Sequence, residues 1–560
     1  MQIIIPMSGF GERFRKAGYK IPKPLIEVEG KPIIAHVIDL FPDEEDFIFI
    51  CNKQHLQNKD FGMEKIIEHY CPTGKIVSID PHKLGPVHAV LQVEELIDVQ
   101  KPTVVNYCDF TCYWDWKHFK NFVMKTKCDG AIPSYKGFHP HSLGTTNYAY
   151  IKEQKGSVID IQEKQPFTED RMNEFASSGT YYFSSGLKML DSFKEMKQKD
   201  LDLNGEYYVS LAYKILLETN NKILVYPLQH FMQWGTPEDV DEYNYWSKAF
   251  KEILKKVRPN KLKGSNIIPM AGLGTRFSDE GFKTTKPLIE ISGSPMVIQS
   301  CDDLPNAKNN IFVVRSDMPD YDDVKTKLKI KYPTAIIKTI DKVTDGQART
   351  ASIGLEALRD KCSGDLNPIT IGACDSGATY DAKLFESKLN DPNIDILVWG
   401  IRGYANAIRS PKMYGWLNEE DNVIKSISVK KPLLNPKNDP IILGVFTFKD
   451  IEVLQKALNS LFDRNGRVNN EFYMDSCIED AISLGYKCEL FEVKSYLCWG
   501  TPNDMQTFKY WQSCFHQWDG HSYSIFDGIS VPKNEKENLV KSYSDQNPEE
   551  DLSWINKDVF

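Results

Sequence analysis

The chain has 560 residues, of which 41% are hydrophobic and 26% charged, and its formal net charge at pH 7 is -9. This length predicts several domains. The negative charge argues against a general nucleic-acid binder, which must neutralise phosphates with basic side chains. No apolar run is long enough to span a membrane, and the N-terminus lacks the pattern of a signal peptide. The 12 cysteines include no CxxC pair, so we expect a cytoplasmic protein.

The first part of the chain alternates short apolar runs with helical patterns. The apolar residues predict buried strands at 3–5, 47–50 and 103–106, and helices at 32–40 and 85–97. Strands that alternate with helices predict an α/β domain with a mostly parallel central sheet flanked by helices. Ligands bind such sheets at the carboxyl ends of the strands, and Asp109 follows the third predicted strand closely.

A glycine-rich loop, Gly9-Phe10-Gly11-Glu12-Arg13-Phe14, follows the first apolar run. Glycines let the backbone approach a ligand closely, and the N–H groups of such a loop can hold phosphate oxygens. Arg13 adds a planar fork of donors, and Lys23, ten residues later, adds a compact positive charge. The pattern predicts an anion site, although Gly-x-Gly alone also occurs in ordinary turns.

These motifs return in the second half of the chain at offsets of 263 to 266 residues. A constant offset over a whole half indicates a tandem duplication of one domain, too long for a solenoid repeat. The repeated motifs are Gly272, Gly274 and Arg276 after Ile267-Ile268, Lys286 in Lys-Pro-Leu, Asp375 after Cys374, Glu471 in Asn-Glu-Phe-Tyr, and Trp499-Gly500-Thr501-Pro502 for Trp234-Gly235-Thr236-Pro237.

The repeat sets the expected domain boundaries. We expect the first copy at 1–250, a basic linker with Pro and Gly at 251–264, and the second copy at 265–518. Residues 519–560 have no counterpart in the repeat and are rich in charged and polar side chains. They predict a polar C-terminal tail that is partly disordered.

Together these motifs resemble the sugar-phosphate nucleotidyltransferases, also called NDP-sugar pyrophosphorylases, in two tandem copies. The resemblance runs from the glycine loop through Lys-Pro-Leu to Trp-Gly-Thr-Pro, and covers nearly all of each copy. It implies two Rossmann-like domains and a Mg²⁺-dependent reaction. In that reaction an NTP and a sugar 1-phosphate give an NDP-sugar and pyrophosphate, which can supply capsule or polysaccharide synthesis. Such a transfer needs mainly positioning and charge neutralisation from the protein.

The resemblance implies a role for each motif residue of the first copy. Arg13 would bind the triphosphate and stabilise the departing pyrophosphate, and Lys23 would hold the α-phosphate and the sugar phosphate. Asp109 would bind Mg²⁺, Lys164 would grip the sugar phosphate, and Glu163 would accept hydrogen bonds from sugar hydroxyls. The other implied positions are the nucleotide-binding Gly9, Gly11, Gly85 and His88, and the substrate-binding Glu206.

The second copy carries a matching set of residues. They are the catalytic Arg276 and Lys286, the metal-binding Asp375, the nucleotide-binding Gly272, Gly274, Gly346 and Arg349, and the substrate-binding Lys430 and Glu471. Helix capping by the preceding Asn is the alternative for the segments around Glu206 and Glu471. A lone histidine such as His88 is more often structural than a ligand.

Four positions depart from the family pattern. Gln233 and Cys498 stand where many members have a second metal-binding Asp, so metal binding would rest on one carboxylate and the phosphates. Glu12 brings a negative charge into the glycine loop. Val429 stands where the first copy has Glu163, which would weaken the sugar grip of the second copy.

Two other functions stay open at this point. One is a cytidylyltransferase for a phosphorylated non-sugar alcohol or amine. The other makes one copy a non-catalytic, nucleotide-binding regulatory module. The sequence does not specify the base or the sugar. It also leaves open whether the chain forms a homo-oligomer.

Overall fold

The computed structural model describes residues 1–257, 262–549 and 552–555, which form two compact units. Unit 1 comprises Met1–Asn244, Gln517–His521 and Ser542–Phe560, and unit 2 comprises Tyr245–His516 and Ser522–Lys541. The chain passes from unit 1 to unit 2 within one helix, Pro237–Leu254. Residues 258–261 of the expected linker, and 550–551 and 556–560 of the expected tail, lie outside the described residues.

Unit 1 alternates strands with helices along the chain. Its strands are β1 (Gln2–Met7), β2 (Glu27–Val28), β3 (Lys31–Pro32), β4 (Asp46–Asn52), β5 (Lys75–Ile79), β6 (Thr103–Asn106), β7 (Phe110–Tyr113), β8 (Gly130–Tyr135), β9 (Ala149–Gln154), β10 (Ser157–Glu163), β11 (Phe175–Ser177), β12 (Thr180–Phe183), β13 (Ile223–Leu228) and β14 (His230–Gln233). Its helices are α1 (Glu12–Lys16), α2 (Ile33–Ile38), α3 (Lys53–Gln57), α4 (Met63–Tyr70), α5 (Gly85–Leu91), α6 (Trp116–Thr126), α7 (Gly186–Gln198), α8 (Val209–Glu218) and the first part of α9 (Pro237–Leu254).

The central sheet of unit 1 has the strand order β11-β9-β10-β13-β8-β12-β6-β1-β4-β5. Strands β6, β1, β4 and β5 run parallel, as do β8 and β13, whereas β12 runs antiparallel to both of its neighbours. Ile3, Ile4 and Ile5 are fully buried, because a parallel strand with helices on both faces has no solvent side. The predicted α/β fold is confirmed, with a sheet that is parallel on the side of the glycine loop and mixed beyond it.

Unit 2 repeats the same succession of elements. Its strands are β15 (Ser265–Met270), β16 (Glu290–Ile291), β17 (Ser294–Pro295), β18 (Asn309–Arg315), β19 (Ile336–Ile340), β20 (Ile369–Ile371), β21 (Ser376–Thr379), β22 (Ile396–Ile401), β23 (Trp416–Glu420), β24 (Val423–Ser428), β25 (Ile441–Phe448), β26 (Cys488–Glu492) and β27 (Ser495–Cys498). Its helices are α10 (Thr275–Asp279), α11 (Met296–Asp302), α12 (Tyr321–Lys331), α13 (Gln347–Lys361), α14 (Ala382–Asn390), α15 (Ala405–Arg409), α16 (Ile451–Asp463), α17 (Met474–Ser483), α18 (Pro502–Gln517) and α19 (Lys536–Ser544), whose last residues belong to unit 1.

The sheet of unit 2 has the order β23-β24-β26-β22-β25-β20-β15-β18-β19. Read strand by strand, this is the order of unit 1, with β25 taking the place of both β11 and β12. Each unit has its own hydrophobic core, built around Ile4, Ile48 and Val105 in unit 1 and around Ile267, Ile311 and Ile371 in unit 2. The two tandem copies predicted from the motif offsets are therefore present as two domains of one topology.

The segments after the second copy carry regular structure and buried side chains. Helix α19 lies within the expected tail, and Tyr543 and Ile555 are buried. In unit 1, the ring of Trp554 stacks on Phe175 with 5.8 Å between centroids, and Trp518 packs against His36. Among the described residues, no helix combines the length and apolar character needed to cross a lipid bilayer.

Candidate active site

The site of unit 1 forms at the carboxyl ends of two neighbouring parallel strands. β1 leads into the glycine loop and β6 leads to Asp109, and the two strands pair in register from Gln2 with Thr103. Gly11 begins α1 in the left-handed conformation, with φ 61°, which favours glycine. A short 3₁₀ turn at Lys23–Leu25 brings Lys23 beside this loop, since a Cβ on Gly11 would lie 3.8 Å from the Cβ of Lys23.

These elements enclose a cavity of about 580 Å³ within unit 1. The wall includes most of the residues predicted for the first copy: Gly9, Gly11, Arg13, Lys23, Gly85, Asp109, Glu163, Lys164 and Glu206. A Cβ built on Gly9 would meet no described atom within 4 Å, so the space beside this part of the loop is open to a ligand. The residues are far apart in the chain and are brought together by the sheet.

Lys23 and Asp109 form an ion pair across the cavity, with 2.7 Å between Nζ and Oδ2. Burial alone lowers the pKa of Lys23, but the negative charge of Asp109 outweighs it, so the pKa lies above its ordinary value. The ammonium group therefore stays charged over the physiological range. A fixed positive charge beside a carboxylate can hold a phosphate on one side and a cation on the other.

Glu163 and Lys164, which also line the cavity, each form a hydrogen bond with a neighbouring hydroxyl group. Ser210 Oγ donates to Glu163 Oε2 at 2.6 Å, and Lys164 Nζ donates to the hydroxyl of Tyr208 at 2.5 Å. That hydroxyl in turn donates to Glu206. Burial raises the pKa of Glu163, although Ser210 and Lys164 oppose the shift. Together these side chains present one ammonium group and two carboxylates to a ligand in the cavity.

Lys164 adopts the left-handed conformation, with φ 58°, which is rare for a residue with a side chain. Its backbone N–H donates to the carbonyl of Tyr148 at 2.8 Å, which holds the end of β10 against β9. The strained backbone turns the side chain out of the strand alternation. Such outliers concentrate at functional sites, where the surrounding structure maintains them.

Gln233 occupies the position of the second metal-binding Asp of the family pattern, and its amide orientation is fixed. Its Nε2 donates to Asp239 Oδ2 at 3.0 Å, and its Oε1 is buried without a hydrogen-bond partner among the described residues. A Cβ on Gly235 would lie 3.0 Å from Gln233 Nε2 and 3.2 Å from Asp109 Oδ2, so both side chains approach the same glycine. The Gln233 atom nearest this glycine is the amide nitrogen, a hydrogen-bond donor, so the oxygen offered here to a hard cation such as Mg²⁺ is that of Asp109.

Asp239 supports Gln233 rather than lining the cavity. Its Oδ2 accepts hydrogen bonds from Thr236 N and Thr236 Oγ1 at the start of α9. Burial raises the pKa of Asp239 to about 6. The described residues contain no group of three or more His, Cys, Asp and Glu side chains that could hold a metal ion, so a bound cation would also need ligand or water oxygens.

Two sequence-predicted features of unit 1 have other surroundings. The structure does not bring His88 to the cavity wall, where His82 lies instead. His88 contacts Gln92 Nε2 at 2.7 Å and Lys197 Nζ at 3.2 Å. The carboxylate of Glu12 pairs with Lys83 at 2.6 Å, which offsets the negative charge that it brings into the glycine loop.

Unit 2 repeats the pair at the centre of the site. Lys286 Nζ lies 2.5 Å from Asp375 Oδ2 and donates to the carbonyl of Gly500 at 3.2 Å. Burial alone lowers the pKa of Lys286, but Asp375 outweighs it and raises the value. Gly274 begins α10 with φ 70°. Gly272, like Gly9, has no described atom within 4 Å of a built Cβ.

Among the other predicted residues of unit 2, Arg349 and Lys430 have contacts different from those of His88 and Lys164, whereas Gly346 repeats the close approach to the backbone seen at Gly85. The guanidinium of Arg349 lies 3.7 Å from the ring centroid of Phe462 and forms an ion pair with Asp345 at 3.4 Å. These two contacts hold the guanidinium group within unit 2. Gly346 lets the backbone pass Phe472, whose carbonyl a Cβ would overlap. Lys430 donates to the carbonyl of Met413 and lies within the electrostatic range of Arg276 and Glu471.

Several residues of the cavity wall are not among the predicted site residues; they include His82, Lys83, Asn147 and Tyr208. Tyr208 lies two residues after Glu206 in the repeated Asn-x-Glu-x-Tyr pattern, so the second copy, with Tyr473 after Glu471, carried a signal for it. His82, Lys83 and Asn147 lie in loops that have no counterpart of the same residue type in the second copy. Only the folded chain reveals them.

Comparisons with known proteins show which families the chain is similar to. Residues 2–220 match the family model described as nucleotidyl transferase. The bifunctional protein GlmU of Methanocaldococcus jannaschii is 26% identical over 272 residues, which are 48% of this chain and 60% of the relative. GlmU of Enterococcus faecalis is 23% identical over 281 residues, 50% of this chain and 57% of the relative. The chain thus spans about three fifths of the length of these curated relatives.

Among solved structures, the nucleoside-diphosphate-sugar pyrophosphorylase from Vibrio cholerae RC9 is 21% identical, with a TM-score of 0.36. It covers 43% of this chain and 99% of its own. Unit 2 repeats the sheet order and the Lys–Asp pair of unit 1, and is a second tandem copy of the same domain.

Proposed function

We propose that unit 1 transfers a nucleotidyl group from an NTP to a sugar 1-phosphate, giving an NDP-sugar and pyrophosphate. The observation that carries this proposal is a cavity whose wall gathers Arg13, Lys23 and Asp109 together with Glu163 and Lys164, which define its acceptor end. Three positive side chains in one wall suit two phosphorylated substrates that meet beside them. The match of residues 2–220 to the nucleotidyl transferase family model supports the same reaction.

In this reaction a phosphate oxygen of the sugar 1-phosphate attacks the α-phosphorus of the NTP. The new phosphorus–oxygen bond forms as the bond to the β-phosphate oxygen breaks, and pyrophosphate leaves with the bonding electrons. Lys164 holds the attacking phosphate, whereas Lys23 and Arg13 neutralise charge at the α-phosphate and the leaving group. No nucleophilic side chain is required, because most of the barrier is overcome by positioning and electrostatic stabilisation.

A magnesium ion, when bound, would neutralise phosphate charge and help to align the reacting groups. Asp109 is the residue that would hold it, through its carboxylate, and Gln233 lies beside it with an amide oxygen that is buried and has no hydrogen-bond partner among the described residues. Asp239 contributes by binding the amide nitrogen of Gln233, so that Oε1 faces away from it.

The acceptor end leaves room for a second candidate substrate. Glu163 is a half-buried carboxylate that accepts a hydrogen bond from Ser210, and it can accept another from a sugar hydroxyl or from an ammonium group equally well. A phosphorylated non-sugar alcohol or amine, with CTP as donor, is therefore the alternative. A sugar nucleotide product would serve capsule or other polysaccharide synthesis.

The test is a pyrophosphate-release panel of four NTPs against sugar 1-phosphates, phosphocholine and other phosphorylated alcohols and amines, with and without Mg²⁺. The variants are Lys23→Ala, Lys286→Ala and the double variant, with the exposed Lys20→Ala as a matched control. We expect Lys23→Ala to lose at least about 100-fold in kcat for one sugar 1-phosphate, and Lys20→Ala to change nothing. Turnover of CTP with non-sugar phosphates alone would select the alternative, and no turnover across the panel would reject both.

A further inference from the structure

The two units can be aligned residue by residue at the acceptor end of the cavity. Lys164 and Lys430 both adopt the left-handed conformation, with φ 58° and 56°. Asn204 and Asn469, which precede Glu206 and Glu471 by two residues, do so as well, with φ 56° and 50°. These rare conformations fix the alignment independently of side-chain identity. In this alignment Val429 is the counterpart of Glu163, and Asp475 is the counterpart of Ser210.

In unit 1 the carboxylate at this end comes from a strand. Glu163 is the last residue of β10 and pairs with Ala149 of β9 in the antiparallel ladder. Ser210, in the first turn of α8, donates to it at 2.6 Å. A carboxylate on the strand thus faces a hydroxyl on the helix.

In unit 2 the two partners have exchanged roles. Val429, beside the end of β24, packs against the hydrophobic core, so the strand supplies no carboxylate. Asp475, in the first turn of α17, supplies one from the helix. Compared with unit 1, unit 2 has therefore lost a carboxylate on the strand and gained one on the facing helix. The net charge of the acceptor end is the same in both units.

A third position changes in step with the other two. Trp416 pairs with Ser428 in unit 2 as Tyr150 pairs with Gln162 in unit 1, so Gly415 is the counterpart of Ala149. A Cβ on residue 415 would overlap Asp475 Oδ2. The glycine makes room for a carboxylate that arrives from the helix, whereas the alanine of unit 1 has no such group to accommodate.

The charged surroundings of Asp475 are those of a phosphate-binding end. Burial raises the pKa of Asp475 to about 6, and Lys430 is the charge that opposes the shift. Around Lys430 the charged groups are Asp475, Arg276 and Glu471. Asp475 as a whole residue is half-buried. An ammonium and a carboxylate within electrostatic range of each other can bind a phosphate and a neighbouring hydroxyl of one ligand.

We propose that unit 2 has an acceptor subsite of its own, in which Asp475 replaces Glu163 and binds a hydroxyl of a sugar phosphate held by Lys430. The class of ligand rests on the function proposed for unit 1. The coordinated changes at residues 415, 429 and 475 are what distinguish this subsite from a degenerate copy, which would have lost Glu163 with no compensation. Because Asp is shorter than Glu and comes from another element, the hydroxyl that it meets differs from the one met in unit 1.

The experiment measures binding rather than turnover, by isothermal titration calorimetry on the full chain. Lys23→Ala and Lys164→Ala together disable the site of unit 1 and form the background. The probes are the 1-phosphates of glucose, galactose, mannose and N-acetylglucosamine, with inorganic phosphate as the probe that lacks hydroxyl groups. Asp475→Asn, Asp475→Ser and Asp475→Ser with Val429→Glu are added to the background, and the exposed Asp463→Asn is the matched control.

We expect at least one hexose 1-phosphate to bind the background protein. Asp475→Asn and Asp475→Ser should weaken that binding by about tenfold or more, the usual worth of a hydrogen bond to a charged group. The affinity for inorganic phosphate should change less than about threefold. Val429→Glu should recover most of the loss in Asp475→Ser, and Asp463→Asn should match the background.

The proposal is overturned if no hexose 1-phosphate binds, or if Asp475→Asn leaves the affinity unchanged. It is also overturned if inorganic phosphate is lost in parallel, or if Val429→Glu gives no recovery, because Asp475 would then only support the structure. Pyrophosphate release by unit 1 is measured separately. A silent unit 1 combined with an Asp475-dependent affinity would reject the proposed function and leave this inference standing.

Discussion

Gly85 shows how a single residue shapes the wall of the cavity. Its φ is +84°, and a Cβ there would lie 2.7 Å from the backbone N of Tyr207. We expect Gly85→Ala to lower the free energy of unfolding by about 1–3 kcal/mol. We also expect it to raise KM, because Tyr207 would move and displace the adjacent Glu206 and Tyr208. Urea unfolding and substrate titration measure the two effects.

Gly205 provides the matched control for this prediction. Its φ is +81°, but a built Cβ would meet no described atom within 4 Å. Gly205→Ala should therefore cost only the backbone strain, about 1 kcal/mol, and leave KM unchanged. If both variants gave the same KM, the close approach at Gly85 would have no bearing on substrate binding.

Gln233 gives a test of the magnesium ligands. We expect Gln233→Ala to weaken the Mg²⁺ dependence of NTP binding by about tenfold, because the unpaired amide oxygen beside Asp109 would be lost. Calorimetric titration of NTP at several Mg²⁺ concentrations measures this, with the exposed Gln154→Ala as control. An unchanged Mg²⁺ dependence in Gln233→Ala would leave Asp109 as the sole protein ligand.

Glu549 predicts a pH dependence of stability. Its side chain is buried, Asp115 N donates to Oε2 at 3.4 Å, and Oε1 has no partner among the described residues. Burial raises the pKa of Glu549 to about 8 from 4.5, and Asp115 and Tyr226 are the titratable neighbours. The folded state therefore binds a proton that the unfolded state has released, so stability falls as the pH rises from about 5 to 8.

Glu549→Gln removes this titration. We expect the variant to exceed the wild type by about 2–4 kcal/mol in free energy of unfolding at pH 9, and to match it at pH 5. Urea unfolding at the two pH values measures the difference. Equal differences at both pH values would show that Glu549 is already charged in the folded protein at pH 5.

At the scale of single residues, most of the site residues predicted for the first copy lie in the cavity wall, and their motifs could be recognised because they occur twice. Lys23, Asp109 and Lys164 each have a counterpart in the second copy. His88 does not lie in the cavity wall, although it was predicted to bind the nucleotide. A position within a helix identifies the neighbours along the chain but not the face of the helix that points to the cavity. The support of Gln233 by Asp239 depends on a hydrogen bond that no spacing encodes.

At the scale of elements, the predicted strands at 3–5, 47–50 and 103–106 lie within β1, β4 and β6. Runs of apolar, mostly β-branched or aromatic residues gave a strong signal, because these strands are buried on both faces. The helix expected at 85–97 instead ends at Leu91 and continues as a 3₁₀ turn at Glu94–Leu96. Ends of helices depend on local contacts, which periodicity does not report.

The last described segment of the chain predicts an effect on the stability of unit 1. Ile555 is buried against Gly156, where a Cβ would lie 2.8 Å from Ile555 Cγ1. We expect Ile555→Ala to lower the free energy of unfolding by about 2–4 kcal/mol, as for other buried aliphatic side chains. Urea unfolding followed by tryptophan fluorescence measures it. Ser553→Ala, at an exposed position nearby, is the control, and equal stability of both variants would contradict the packing of this segment.

At the scale of the whole molecule, the duplication could be predicted because motif offsets stay nearly constant over a whole domain. The return of Gln517–His521 and of the segment from Ser542 to unit 1 could not. From residue 519 onward they have no counterpart in the repeat, so comparison of the two copies does not show where they pack. Their polar composition favoured a tail, although His521, Tyr543, Glu549 and Ile555 are buried.

The two sites are each built from residues of one unit, with separate hydrophobic cores. Effects of substitutions at sites that share no residues usually add within about 0.5 kcal/mol. We therefore expect Lys430→Ala to leave kcat/KM of unit 1 within about twofold, and Lys164→Ala to leave the affinity of unit 2 for its sugar phosphate equally unchanged. The double variant should show the sum of the single effects. A change beyond about fivefold in the unsubstituted unit would show that the sites are coupled, and would also invalidate the use of one disabled unit as a background for studying the other.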